Sequence, residues 1–263
     1  MKKAWLVLGF LAFILLLSGC NGGLFGGGGS KITAFNYRVT NAVPDLGGNS
    51  SVDYVAQVDG DPNEQSFLGT FSYLQFSNYF EHKEQDIYID YIVKEASTTN
   101  ELDAISVDII PDTSVHILFL GLVNAAPSQK SARLTAIPID RGSPSGSKAR
   151  IIVVHGFNRD ATHITPNIDL AKPGDDIPIV SNVQFGNSTL PPDEQDASQY
   201  SAEITSGTYT FEVRIAGNKD AVLFTDGPFT LQAGKIYVLL ISGEEGNSVW
   251  PPKITLIEEP VKN

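Results

Sequence analysis

Thr208-Tyr209-Thr210-Phe211-Glu212-Val213-Arg214-Ile215 is the stretch on which the fold is read. Tyr209, Phe211, Val213 and Ile215 fall on one face and Thr210, Glu212 and Arg214 on the other, the period of two of a strand with one face in a core and the other in water. Gly207 before it and Ala216-Gly217-Asn218 after it are turn punctuation. Upstream by 122 residues, Ile87, Ile89, Tyr91 and Val93 alternate in the same way, with Tyr88, Asp90 and Ile92 outward, so this earlier copy is less cleanly amphipathic. From Lys31 onward no run sustains a period of 3.6. Short runs rich in Val, Ile, Thr, Tyr and Phe recur between Gly, Pro, Asn and Asp clusters, and the body reads as all-β.

Other landmarks repeat in the same order, which points to a duplication. Tyr73-Leu74-Gln75-Phe76-Ser77-Asn78 corresponds to Asn182-Val183-Gln184-Phe185-Gly186-Asn187. Val107-Asp108-Ile109 followed by Ile117-Leu118-Phe119-Leu120-Gly121 corresponds to Phe229-Thr230-Leu231 followed by Val238-Leu239-Leu240-Ile241-Ser242-Gly243. Arg133-Leu134-Thr135-Ala136-Ile137 is set against Lys253-Ile254-Thr255-Leu256-Ile257, and Tyr37-Arg38-Val39-Thr40-Asn41 against Ile151-Ile152-Val153-Val154-His155. Roughly 110 residues per copy suit about seven strands, so the expected fold is two tandem antiparallel β-sandwich domains of immunoglobulin/transthyretin type. The first spans 32–141 and the second 149–263, with the Gly/Ser/Pro-rich residues 142–148 as linker. Whether the two copies pack on each other is left open.

Residues 1–19 read as a signal peptide: Lys2 and Lys3 form a positive n-region and Ala4 to Leu17 an apolar stretch, too short to span a bilayer, which takes about twenty residues. Leu17-Ser18-Gly19-Cys20 resembles the lipobox of bacterial lipoproteins, which implies cleavage before Cys20 and a diacylglycerol on its sulfur. The membrane partner is then reached through lipid on Cys20, since two acyl chains give stable anchoring without a transmembrane helix. Residues 20–31 carry that cysteine and a glycine-rich tether. Asn21, rather than Asp, after the cysteine favours the outer membrane by the sorting pattern of enteric-type lipoproteins, with the body periplasmic or surface-facing.

The chain of 263 residues carries 18 Lys plus Arg against 30 Asp plus Glu, a net charge of −12 that excludes nucleic acid as a partner, because phosphate contacts need cations. Its single cysteine excludes a disulfide framework and Cys-rich metal sites. No Gly-x-Ser-x-Gly elbow and no His-Glu-x-x-His helix is present. The weak metal or catalytic candidates are His155, Asp160 and His163, with Asp169 nearby, and, in an acidic turn with oxygens at alternate positions, Asp59 and Asp61. His155 ends a strand and is read first as a histidine satisfied by the turn that follows it. Tyr79, Phe80 and Trp250 are aromatic candidates for contact with a protein or sugar, Trp250 being also suited to anchor its Pro-rich loop. No cofactor is implied.

Ala149 to His155, Gly207-Thr208-Tyr209 and Ala233-Gly234-Lys235 of the second copy resemble the bacterial family called domain of unknown function 4397. The first copy keeps Val43-Pro44-Asp45 but has Asn41 where the family's strand ends in His. The resemblance implies secreted or lipid-anchored sandwich modules and carries no catalytic residue. The expected function is a non-catalytic envelope module, binding or scaffolding a protein or glycan partner. The alternatives are a secreted hydrolase or metal-dependent enzyme centred on His155 and His163, and a purely structural spacer.

Overall fold

The computed structural model describes residues 34–46, 51–82, 88–110, 113–123, 132–159, 166–187 and 195–262. Cys20, the signal segment and the tether lie outside them, as do Ile87, Asp160 and His163.

Among the described residues, sixteen strands fall into two sets of eight. The first set is β1 (Phe35–Ala42), β2 (Ser51–Val58), β3 (Gln65–Ser72), β4 (Phe80–His82), β5 (Tyr88–Glu95), β6 (Glu101–Asp108), β7 (Ser114–Leu120) and β8 (Arg133–Pro138). The second is β9 (Lys148–His155), β10 (Ile168–Ala171), β11 (Val180–Val183), β12 (Ser201–Thr205), β13 (Gly207–Ile215), β14 (Val222–Leu231), β15 (Ile236–Ser242) and β16 (Lys253–Glu259). Sheets β4-β1-β7-β8 and β3-β2-β5-β6 form one sandwich, and β12-β9-β15-β16 and β11-β10-β13-β14 the other, in the same order strand for strand. The stretch that opened the reading is β13, where Phe211 and Val213 are buried.

One pair in each sandwich departs from the antiparallel rule: β1 lies parallel to β7 and β9 parallel to β15. These strands are buried on both faces, every residue of β7 and β15 included, which is why β15 and the Ile151 to Val154 stretch of β9 read as continuous apolar runs rather than alternating ones. The inner face of the first sandwich takes Val39, Ile117, Phe119, Leu134 and Ala136 against Val52, Tyr54, Ile89 and Tyr91. The opposite face of the same sheet, Ala42, Leu118, Leu120, Ile137 and Ile139, joins the core of the second repeat. The two β1-β7-type sheets therefore face each other, and residues 33–263 form a single compact unit of four stacked sheets.

The register aligns the repeats. Val39 pairs with Ile117 as Val153 does with Leu239, and β7 and β15 both end on a glycine of positive φ, Gly121 at 100° and Gly243 at 96°. On this alignment Asn41 corresponds to His155, Arg38 to Ile152, and Ile139 to Glu259.

Candidate functional site

His155 is fully buried at the end of β9 and both ring nitrogens are in use. Nδ1 accepts the backbone N–H of Phe157 at 3.3 Å and Nε2 lies 2.9 Å from the Pro166 carbonyl, so the neutral tautomer carries its proton on Nε2. Asn41 makes the first of these bonds in the first repeat, its Oδ1 accepting from Val43 N at 3.0 Å, while its amide donates at 3.0 Å to the Phe71 carbonyl at the end of β3, a different strand from the one Pro166 precedes. Two chemically different side chains thus perform the same task, closing the turn after the first strand. Burial pushes the His155 imidazole down to about 4 against the opposing pull of the Pro166 bond, and the charge of Arg133 adds a smaller push in the same direction as burial. Its two nitrogens are committed to backbone groups, and a metal would have to displace them.

The remaining candidates are dispersed. Asp169 is buried and accepts the backbone N–H groups of Asn182 at 2.7 Å and Gly217 at 2.9 Å, holding two turns. Asp59 accepts from Tyr88 N, and Asp61 closes on Asn63 N and Nδ2. Among the described residues no three His, Cys, Asp or Glu side chains converge as metal ligands would. Phe80 and Tyr79, named from the sequence as candidates for partner contact, are half-buried and turn inward. Phe80 stacks on Tyr37 at 5.3 Å between centroids in the first core, because β4 pairs with β1. Trp250 is half-buried, its N–H donating to Asn247 Oδ1 and its carbonyl accepting from Glu244 N, as a loop anchor does.

Tyr79 belongs to a buried polar cluster between the repeats that sequence reading did not assemble. Its hydroxyl donates to Glu259 Oε2 at 2.5 Å, and Arg38 and Arg141 lie over its ring at 4.8 and 5.4 Å. Glu259, the last residue of β16, is fully buried and takes Arg38 Nη1 on Oε1 at 3.2 Å. Arg38 also donates to the carbonyls of Glu258 and Ser77. His116 Nδ1 lies 3.2 Å from Glu259 Oε1 but off hydrogen-bonding geometry, while Nε2 meets Thr40 Oγ1 at 2.6 Å. Burial drives His116 below its ordinary range despite the pull of Glu259. Burial raises the Glu259 carboxyl, yet His116, Arg38 and Tyr79 more than offset it and hold the group below the usual carboxylate range. The cluster is a carboxylate paired with one guanidinium and flanked by a neutral imidazole and a phenol. At the equivalent positions Arg38 is replaced by Ile152 and Glu259 by Ile139, both buried in the shared core. The ion pair occurs once, and it joins β1 of one repeat to β16 of the other.

Around it the repeats clasp each other through matching loops. Arg133 at the start of β8 sits over the Phe185 ring at 5.2 Å and donates to the Phe185 carbonyl, and Thr135 donates to Gly186 O at 2.8 Å. Gly186 has a φ of 68°, in the left-handed region that favours glycine, and it lies against that guanidinium. In mirror sense, Lys253 at the start of β16 lies over Tyr73 at 5.5 Å. The 73–78 and 182–187 stretches, read from the sequence as landmarks of a repeat, are the loops that hold the other copy.

A groove of about 520 Å³ opens on the second repeat among Asp169, Asp176, Ser181, Asn182, Arg214 and Lys219. Arg214 is bound to Glu212 and to the carbonyls of Asp175 and Lys172, and Lys219 to Asp176 and Asp220. Its charges are spent internally.

No family model matches this chain, and no curated protein matches it. Among solved structures it is similar to the Bacillus anthracis TIE protein, at 12% identity and a TM-score of 0.22 over 80% of this chain and 34% of that one. It is also similar to a fimbrial assembly protein from Parabacteroides distasonis, at 7% identity and a TM-score of 0.22 over 86% of this chain and 95% of that one. The chain thus spans about a third of the TIE protein's length. At these values neither likeness bears on role, and the fold rests on the strands and pairings above.

Proposed function

We propose that the protein is a lipid-anchored envelope lipoprotein whose body is a non-catalytic module presenting surfaces to a protein or glycan partner, built from two copies resembling the domain of unknown function 4397. The observation that carries this reading is the use made of the chemically capable side chains. His155, His116, Glu259 and Arg38 are all buried, engaged with one another or with backbone, and occupied in holding strands and repeats in place. A catalytic centre needs such groups at a place a substrate can reach. The Leu17 to Cys20 sequence and the glycine-rich segment after it support attachment through lipid, and Asn21 supports the outer membrane.

Metabolic labelling with a fatty acid analogue tests the anchor: the native chain is expected to take up label and Cys20→Ala to lose it. Crosslinking in intact cells followed by affinity capture tests the module. A saturable partner recovered with the native chain and lost with Cys20→Ala is the expected outcome. Turnover of a substrate that disappears in His155→Ala with the fold intact would instead establish the hydrolase alternative.

A further inference from the structure

Edge strands expose unpaired backbone groups, and proteins normally guard them with charge, proline, bulges or shortness. The described edges follow this, and β3 does so least. β6 carries Glu101, Asp103 and Asp108, β14 has Asp226 and Pro228, β8 has Arg133 and Pro138, and β16 has Lys253, Glu258 and Glu259. β4 and β11 have three and four residues, and the five of β12 include Glu203. β3, Gln65-Ser66-Phe67-Leu68-Gly69-Thr70-Phe71-Ser72, has eight residues with neither a charge nor a proline; a single bulge at Leu68 interrupts it, and no described strand borders its far side.

The face beside this edge is apolar where it should be polar. Register places Phe67 opposite Val55, Val55 opposite Ile92, and Ile92 opposite Ala104, one outward row crossing all four strands. Phe67, at the open end of the row, is 66% exposed. The fold does not require these residues, because the positions equivalent to Val55 and Ile92 are Asp169 and Arg214, which pair across β10 and β13. The neighbouring rows are acidic. Gln65, Gln57, Asp90 and Ser106 lie on one side, and Thr70, Asp53 and Lys94 with Glu101 on the other, with Glu64 just ahead of β3. Among these side chains Lys94 is the lone cation against Asp90, Asp53, Glu101 and Glu64.

We propose that β3 is a docking edge for an extended segment of a partner protein, which adds as a fifth strand, sets an apolar side chain beside Phe67, and places basic side chains two positions to either side. Main-chain pairing along β3 supplies the attachment, and the outward row supplies the preference, since alternate side chains of an added strand fall on the same face. The acidic rows select a cationic partner over a second copy, because two copies joined here would bring like charges together on a chain of net charge −12. This inference rests on the module reading above and names its partner's chemistry.

The test uses the mature chain and three labelled peptides: Thr-Lys-Thr-Ile-Thr-Lys-Thr, the same peptide with Glu for Lys, and the same with Pro for its two central Thr. Fluorescence anisotropy is expected to show the Lys peptide binding about tenfold or more tighter than the other two, with slowed amide exchange confined to β3 and β2. Phe67→Lys should abolish this binding and Val222→Lys, on exposed β14, should leave it unchanged. Phe67→Ser, which introduces no charge, should weaken binding and serves should Phe67→Lys not fold. Equal binding of all three peptides, or of none, overturns the proposal, as does a dimer of the free chain that Phe67→Lys dissolves. A chain that binds no peptide but still yields the anchored crosslink loses this site and keeps the module. A chain that binds the peptide and yields no crosslink does the reverse.

Discussion

At the scale of single residues, the clearest consequence concerns His155. An unfolded histidine titrates near 6.5 and this one near 4, so the unfolded chain binds the extra proton first as pH falls. The stability due to the neutral buried ring is therefore complete above about pH 6.5 and is lost progressively towards pH 4, an effect on the order of 3 kcal/mol. Urea unfolding followed across that window should show the loss. His155→Asn, which copies Asn41 of the first repeat, should lower stability at pH 7 by about 1–3 kcal/mol, since the reach to Pro166 is lost, while flattening the acid slope. Some slope will remain, because His116 is also held neutral by burial. An unchanged slope in His155→Asn would show that the ring does not titrate as buried. The sequence placed His155 at a strand end and read it as satisfied by its turn. What it did not show is that Asn41 does the same work, because the equivalence rests on hydrogen bonds rather than on residue type.

At the scale of elements, the pairing of β1 with β16 is the informative contact. Arg38 and Glu259 are 221 residues apart and both buried, so removing one partner strands a charge. Arg38→Ile and Glu259→Ile are each expected to cost about 3–5 kcal/mol. The double variant, which reproduces the Ile152 and Ile139 of the equivalent contact, should cost less than the sum of the singles by about 1–3 kcal/mol, measured by chemical denaturation of all four proteins. Strict additivity would mean that the pair does not act as a unit. Little of this was legible beforehand. Alternation found β13 and most of β5, and Val238 to Ile241 was read as a landmark of the repeat. Polar residues interrupting such runs, Arg38 and Thr40 in β1 and His116 in β7, are the signal that was available for the cluster. They could be recognised as misfits for a core, but not paired, because their partner sits on a strand of the other repeat.

At the scale of the whole molecule, the two repeats share a core. Ala42, Leu118, Leu120, Ile137 and Ile139 are buried against the second repeat, and at about 1.5–3 kcal/mol per large apolar side chain this contact contributes on the order of 5–10 kcal/mol as an upper estimate. That is comparable with the entire net stability of a domain, so the repeats should unfold together. Calorimetry of the mature chain is expected to give one transition whose calorimetric and van't Hoff enthalpies agree, and residues 149–263 alone should bind a hydrophobic dye or aggregate. Two well-separated transitions would show the repeats to be independent. The sequence by itself determined the strand class, the duplication and the order of its landmarks, because a period of two and a repeated motif are properties of neighbouring residues along the chain. Tertiary structure alone decided that the two central sheets face each other, that Tyr79 and Phe80 turn inward, and that Phe67 is left outward on an open edge. Those outcomes depend on which surfaces complement one another across more than a hundred residues, and no local pattern records them.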